Sequence, residues 1–296
     1  MKSEKNILVA FLLNISFSIL ELLGGFFTGS IAIMSDSVHD LGDAISIGIS
    51  YFLEKMSKKK PDKNHTYGYL KYSVIGSVIT TVILLVGSSF VIYESIKRII
   101  TPVEVNYNGM IIFAIFGVVI NTLASYVTRD GNSLNQRSVN LHMLEDVLGW
   151  VVVLVGSILM KFTDISILDP VLSIGVSIFI FVHAIKNLKE IMDVFLEITP
   201  KNIDIEEIEH HIKEVPGVMD VHHIHVRSMD GYHNFATLHI VTKEYKEEIK
   251  NQVKDELKEH GISHSTIEIE LEDETCKEID CKMEAVQSGH HHHHHH

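Results

Sequence analysis

HDLGD, at residues 39–43, and HMLED, at residues 142–146, are short polar stretches inside two long apolar segments of the chain. Each contains His-x-x-x-Asp, and positions i and i+4 share one face of an α-helix. Two such helices packed together present two imidazoles and two carboxylates, which suit tetrahedral zinc. Ionisable groups inside membrane spans are rare and usually functional. One metal site is therefore predicted from His39, Asp43, His142 and Asp146.

The ligand types limit which metal ions this predicted site can bind. Magnesium and calcium prefer oxygen ligands throughout, and copper(I) prefers cysteine or methionine. Nitrogen and oxygen ligands favour Zn²⁺ but also accept Cd²⁺, Co²⁺, Ni²⁺ and Fe²⁺. The alternative is a structural hydrogen bond between helices, which explains one His-Asp pair more easily than two with equal spacing.

The first two thirds of the 296-residue chain alternate long apolar runs with short polar breaks. The mean hydropathy is +0.19 and 21% of the residues are charged, because these values average the apolar region with a charged final third. A transmembrane helix needs about 20 apolar residues. Residues 1–196 are therefore predicted to be a domain of six transmembrane helices, in a lipid bilayer. The six predicted spans are 7–27, 31–53, 72–93, 109–127, 141–160 and 170–185.

The orientation of these spans follows from the lysines and arginines of the short loops. With a cytoplasmic N-terminus, the outer loops hold only Lys97, Arg98 and Lys161, and the other basic residues lie inside. Cytoplasmic loops carry such an excess in multi-pass proteins. The sequence thus predicts a cell-membrane protein with both termini in the cytoplasm.

Residues 197–283 are predicted to form a cytoplasmic α+β domain. Amphipathic, extended and turn patterns follow one another in the order α-β-β-α-β, with Asp230-Gly231 as a two-residue hairpin loop. This region holds most of the acidic surplus behind the net charge of −13, which argues against a nucleic-acid partner. Residues 284–296 end in a polyhistidine that indicates an expression tag.

The predicted hairpin places His222 directly opposite His239, with Cβ atoms about 5 Å apart. Two imidazoles at that separation can share one zinc. Alternate glutamates of the third strand, 268, 270 and 272, share a face and can add a carboxylate. The alternative is that these histidines are ordinary surface residues. Cys276 and Cys281 form one close pair without partners in the sequence, so no role is assigned to them.

The loop between the second and third predicted spans offers Asp62 and His65 as further candidate metal ligands. Lysines surround these two residues and oppose a cation. The alternative is a solvated loop whose lysines face anionic lipid headgroups.

Protons compete with metal for the groups of the intramembrane site, since binding needs neutral imidazole and ionised carboxylate. Protons moving inward can therefore drive metal outward, which predicts a metal-exporting antiporter rather than an enzyme. Two alternatives are an intramembrane zinc-dependent hydrolase and a metal-sensing receptor. The spans contain no His-Glu-x-x-His, and no recognised output module follows the tail domain.

Together these features resemble the cation diffusion facilitator family of metal-proton antiporters. The resemblance rests on six spans, two His-x-x-x-Asp pairs, the NHTYGY loop at residues 64–69, and Pro216-Gly217-Val218 before His222. It implies the zinc-preferring branch, alternating access around the four-residue site, and a homodimer held partly by cytoplasmic domains of metallochaperone-like fold. It also implies a regulatory metal at His222, His239 and Glu272. Tyr69 stands where some members carry a further loop histidine.

Overall fold

A computed structural model describes residues 2–28, 31–101, 107–131, 133–163 and 167–272. Side chains 31–39, which include His39, lie outside this description, as do Cys276, Cys281 and the polyhistidine. The chain divides into two compact units. The first comprises residues up to Ile198 with Ser228–Tyr232, and the second comprises Thr199–Arg227 with the residues from His233 onward.

In the part of the chain that the structure describes, the first unit contains six long helices, of 22 to 30 residues each. They are α1 (Lys2–Thr28), α2 (Ile31–Ser57), α3 (Lys71–Ile100), α4 (Tyr107–Thr128), α5 (Leu134–Thr163) and α6 (Leu168–Phe195). Within the described residues, four stretches are long and apolar enough to cross a membrane. These are Ser3–Gly24, Lys71–Ile100, Ile111–Thr128 and Leu134–Leu159.

Helix α5 begins at Leu134, seven residues before the predicted span at residue 141. The extra turns, residues 134–140, are mostly polar, and the predicted span began at the apolar run that follows them. Several polar side chains at this end are buried and hydrogen-bonded: Ser133 accepts a hydrogen bond from the amide of Gln136, and Asn135 donates to the carbonyl of Ser50 at 2.8 Å. Buried polar groups are tolerated where they are hydrogen-bonded, so the helix can start inside a polar segment.

The helices of the first unit pack together through both apolar side chains and buried polar side chains. Ile7 of α1, Ile47 of α2, Ala124 of α4 and Met143 of α5 share one buried apolar cluster. Elsewhere Ser50 of α2 is hydrogen-bonded to Thr80 of α3 at 2.6 Å, fully buried. Hydrogen bonds between helices are a recognised source of stability in membrane proteins.

The second unit has the predicted α-β-β-α-β order, so the predicted α+β domain is confirmed. Its elements are α7 (Ile205–Glu214), β1 (Val218–Ser228), β2 (Asn234–Thr242), α8 (Glu247–Glu259) and β3 (Ile262–Leu271). The sheet order is β1-β2-β3, and β3 runs parallel to β2. The buried faces of both helices pack against the sheet around Ile208, Ile212, Val253, Leu257, Leu238 and Ile240.

The loop between β1 and β2 is longer than predicted. Strand β1 ends at Ser228 and β2 begins at Asn234, so the two-residue Asp230-Gly231 loop is wrong. Side chains organise the turn locally: the Asp230 carboxylate accepts a hydrogen bond from the Tyr232 amide, and Gly231 has a φ of +91°. Short polar side chains favour such turns by accepting a hydrogen bond from the backbone amide two residues later. Here the Asp230 bond takes the place of strand pairing.

Candidate metal centres

The intramembrane candidate site is formed by α2 and α5. Asp43, His142 and Asp146 each offer a ligand atom, and these atoms all lie within 4.8 Å of one another. Nε2 of His142 is 3.7 Å from Oδ1 of Asp43, and both side chains are nearly inaccessible. The fourth predicted ligand, His39, lies on α2 four residues before Asp43, but its side chain is outside the described residues. Three of the four predicted ligands are therefore brought together.

The His142 imidazole lacks a hydrogen-bond partner at both ring nitrogens, among the residues that the structure describes. Leaving a buried polar group unpaired is unfavourable. A divalent cation held between His142 and the two carboxylates would satisfy one nitrogen. The donor set and the unpaired imidazole both fit a metal ion as transported substrate.

Asn14 of α1 is a polar neighbour that sequence reasoning missed. Its amide nitrogen donates to Oδ2 of Asp146 at 3.5 Å, and the residue is buried. Hydrogen bonds to a ligating carboxylate orient it. The available signal was an asparagine in the middle of the apolar stretch of α1, but its partner is 132 residues away in sequence.

A cavity of about 710 Å³ adjoins the site and is lined by α2, α3, α5 and α6. Acidic groups from Asp40, Asp43, Glu145 and Asp146 line one part of it, and valine side chains and Phe90 line another. The candidate ligands therefore line a partly open cavity rather than a closed apolar interior.

A second cluster lies on the sheet of the second unit. Nδ1 of His239 is 2.7 Å from Oε1 of Glu270, and Nε2 of His222 is 3.4 Å from Oε2 of the same carboxylate. The rings of His222 and His239 have centroids 5.3 Å apart. The predicted proximity of these two histidines is thus present, and Glu270 bridges them.

Glu272, the predicted third ligand, does not join this cluster. It follows the end of β3 and is exposed, whereas the Glu270 side chain is only 12% exposed. Alternate strand residues share a face, so periodicity could not distinguish glutamates 268, 270 and 272. The side-chain contacts distinguish them: the register puts Glu268 opposite His239, but Glu270, two residues further along that face, contacts both histidines.

His223 also approaches the cluster, contrary to simple strand alternation. Its ring centroid is 5.0 Å from that of His239, and its φ is +52°. Residues other than glycine rarely adopt positive φ, and such backbone often marks a functional site. The positive φ at His223 lets both His222 and His223 approach His239. In a regular strand, adjacent side chains would point to opposite faces of the sheet.

The loop residues Asp62 and His65 are engaged in holding the loop together. The Asp62 carboxylate accepts hydrogen bonds from the Tyr69 hydroxyl at 2.5 Å and from the amides of Asn64 and His65. The Tyr69 bond, with those amides, lowers the pKa of Asp62 to about 2. The His65 ring stacks on Tyr69 at 4.1 Å. Among the described residues, no third metal-ligating group joins this pair.

The sequence as a whole matches known domains in both units. Residues 7–196 match the cation efflux transmembrane domain, and residues 200–272 match the cytoplasmic domain of cation efflux proteins. This chain belongs to the cation efflux family. The predicted family resemblance is therefore confirmed, and so is a multi-pass membrane protein.

Proteins that are similar to this chain over most of its length are named as metal transporters. The chain is 33% identical to the cadmium, cobalt and zinc/H⁺-K⁺ antiporter of Bacillus velezensis, covering 90% of this chain and 88% of that one. It is 31% identical to the zinc transporter ZitB of Escherichia coli, covering 97% and 93%. It is 28% identical to the metal cation efflux system protein CzcD of Cupriavidus metallidurans, covering 91% and 87%.

Membership of this family makes the protein a metal-cation efflux transporter rather than an enzyme, as predicted. The intramembrane hydrolase and the metal-sensing receptor are both disfavoured, because the match includes the transport domain itself.

Proposed function

We propose that this protein exports Zn²⁺ from the cytoplasm across the cell membrane in exchange for protons. The convergence of Asp43, His142 and Asp146 beside an accessible cavity carries the proposal. His39 is the fourth ligand, placed on α2 four residues before Asp43. Together they give two nitrogens and two oxygens, a common zinc ligand set.

The range of transported ions follows from the same ligands. Relatives are named for zinc, cadmium and cobalt, and this chain is proposed to accept all three, with zinc preferred. Ni²⁺ and Fe²⁺ are compatible with nitrogen and oxygen donors and are weaker candidates.

Protons drive transport by competing for the ligands. Ionised Asp43 and Asp146 with neutral His142 hold the metal ion, and protonation of these groups releases it. The site releases metal and takes up protons on the outer side of the membrane, and it releases protons and takes up metal on the cytoplasmic side. This exchange couples metal export to proton entry. Coupling requires the cavity to open alternately to the two sides of the membrane.

The proposed topology has α1–α6 as six spans and both termini in the cytoplasm, because basic residues concentrate in the loops on that side. Residues 1–196 form the membrane domain and residues 197–283 a cytoplasmic regulatory domain, ahead of a tail and tag at 284–296. The second unit matches the cytoplasmic dimer domain of cation efflux proteins, and a homodimer is proposed on that basis. Zinc at His222, His239 and Glu270 would draw the two cytoplasmic domains together.

Zinc flux into proteoliposomes under an imposed pH gradient tests the transport proposal. Zinc should move toward the compartment from which protons flow, and collapsing the gradient should stop its accumulation. Asp43→Ala and His142→Ala should abolish flux, whereas Asp130→Asn, at an exposed carboxylate paired with Arg129, should not. Undiminished flux in Asp43→Ala would exclude the proposed site, and accumulation that ignores the gradient would exclude proton coupling.

A further inference from the structure

The helical layer of the second unit holds another group of metal-ligating side chains. Nδ1 of His211, on α7, is 2.8 Å from Nε2 of His260, at the end of α8. Oε1 of Glu256 is 3.3 Å from that His211 nitrogen and 3.4 Å from that His260 nitrogen. Three donor atoms from two helices therefore converge on one point.

The helix packing explains this convergence. Ile208 and Ile212 of α7 point into the core, as do Val253 and Leu257 of α8. Glu256 and His260 are four residues apart, so they share one face of α8. All three cluster residues are partly buried rather than fully solvated, with the side chain of His260 only 15% exposed.

The distances fit a metal ion as well as a hydrogen-bonded cluster. In a tetrahedral zinc site with bonds of 2.0–2.1 Å, neighbouring ligand atoms are about 3.3 Å apart. Both distances from Glu256, 3.3 and 3.4 Å, are close to that value. The shorter distance between the imidazoles is that of a hydrogen bond, whose proton a metal ion would replace.

The surrounding charges favour a cation. Glu256 supplies a carboxylate, and His260 is the C-cap of α8, where the helix carbonyls concentrate negative partial charge. Two neighbouring lysines are already paired: Lys258 with Asp255, and Lys213 with Glu209 and Asp220. Their positive charge is thus largely compensated.

This group is separate from the histidines on the sheet. His239 alternates along β2 with Leu238 and Ile240, which are buried under the helices. Side chains of successive strand residues point to opposite faces. His222, His239 and Glu270 therefore lie on the face away from α7 and α8, and one ion cannot serve both groups.

We infer that His211, Glu256 and His260 form a further divalent-metal site that binds Zn²⁺ through two nitrogens and one oxygen, with a fourth position open to water. An ion bound there joins α7 to α8. The second unit thus has two metal sites, one on each side of its sheet.

Zinc stoichiometry of the full chain ending at Gly289 tests this inference, because the removed polyhistidine would itself bind zinc. Equilibrium dialysis followed by metal analysis should show one fewer zinc per chain in His211→Ala/His260→Ala than in the parent. His210→Ala is the matched control, since this neighbouring ring pairs with Glu214 instead. Its stoichiometry should equal that of the parent.

Circular dichroism checks that the double variant is folded. If it is not, Glu256→Gln decides the question, because it keeps the side-chain shape and should weaken one class of zinc sites about 10-fold or more. Parental stoichiometry in a folded double variant, or parental affinity in Glu256→Gln, would overturn the inference. Equal zinc loss in His210→Ala would overturn it as well.

Discussion

Asn14 lies outside the proposed ligand set but is placed to tune the proposed transport site. Its amide holds Oδ2 of Asp146 from a third helix. Asn14→Ala should leave the ligands in place but loosen Asp146, and loss of such a support typically weakens metal binding about 10- to 100-fold. The zinc KM in proteoliposomes should rise accordingly. Ser16→Ala, which removes only a bond to the Leu12 carbonyl of the same helix, should leave KM unchanged; a parental KM in Asn14→Ala would contradict the assigned role.

Asp62 gives a pH dependence to the loop between α2 and α3. Its folded pKa of about 2 is below the ordinary value of 3.8, so the ionised carboxylate stabilises the folded loop. That contribution is complete above pH 3.8 and is lost as pH falls toward 2. In Tyr69→Phe the pKa should rise toward 3.8, because the largest cause of the lowering is removed.

Carboxyl resonances followed by NMR during an acid titration measure this pKa. Tyr67→Phe, at an exposed tyrosine two residues away, is the control and should titrate like the parent. A Tyr69→Phe pKa still near 2 would show that the backbone amides alone hold the carboxylate.

Residue spacing was enough to predict which candidate ligands lie together but not their neighbours. The i, i+4 rule is local, so Asp43, His142 and Asp146 could be recognised in the sequence. Asn14 and Glu270 could not be chosen, because each depends on a contact distant in sequence. The His223 irregularity is equally invisible to a rule of strict alternation.

Among the helices, α2 is tied to its neighbours by a buried carboxylate. Glu54 accepts hydrogen bonds from Ser73 at 2.7 Å and from Ser133 at 3.2 Å, and its residue is 2% exposed. Glu54→Ala would leave buried hydroxyls without their acceptor, at a cost of about 1–3 kcal/mol. The midpoint of thermal unfolding in detergent should therefore be lower in Glu54→Ala than in the parent. The midpoint of Glu54→Gln should fall less, because glutamine keeps an acceptor oxygen. Equal midpoints for Glu54→Ala and the parent would contradict this role.

Helices α4 and α5 approach closely at Gly117. A Cβ there would lie 2.3 Å from Cδ2 of Trp150, which forces the helices or the indole to shift. Gly117→Ala should therefore destabilise the protein by about 1–3 kcal/mol. Gly149→Ala is the matched control on α5, where an added Cβ meets nothing within 4 Å. Thermal unfolding of both variants compares them, and an unchanged Gly117→Ala midpoint would mean that the contact can relax freely.

Element type was predictable wherever one apolar pattern ran for many residues, and element ends were not. The long apolar runs gave the positions of the membrane helices, whereas the polar first turns of α5 depend on partners such as Ser50 in α2. Likewise the α-β-β-α-β order followed from periodicity, but the turn between β1 and β2 depends on local hydrogen bonds.

In the whole molecule, zinc bound at the sheet cluster would connect cytoplasmic zinc to the arrangement of the proposed dimer. Zinc at His222, His239 and Glu270 would offset the acidic charge of the second unit, so two such units repel each other less when zinc is bound. The distance between the two units should shorten on zinc addition. Glu270→Gln should abolish that change, whereas Glu272→Gln, at the exposed glutamate beyond β3, should retain it.

Spin labels report this distance in the full chain without its polyhistidine. Tyr245→Cys supplies an exposed labelling position in the second unit, with Cys276→Ser and Cys281→Ser in the background. A shortened distance in the parent and in Glu272→Gln, but not in Glu270→Gln, would assign the third ligand and the regulatory role together. An unchanged distance at saturating zinc in the parent would remove the regulatory role, while a response lost only in Glu272→Gln would move the ligand to that residue.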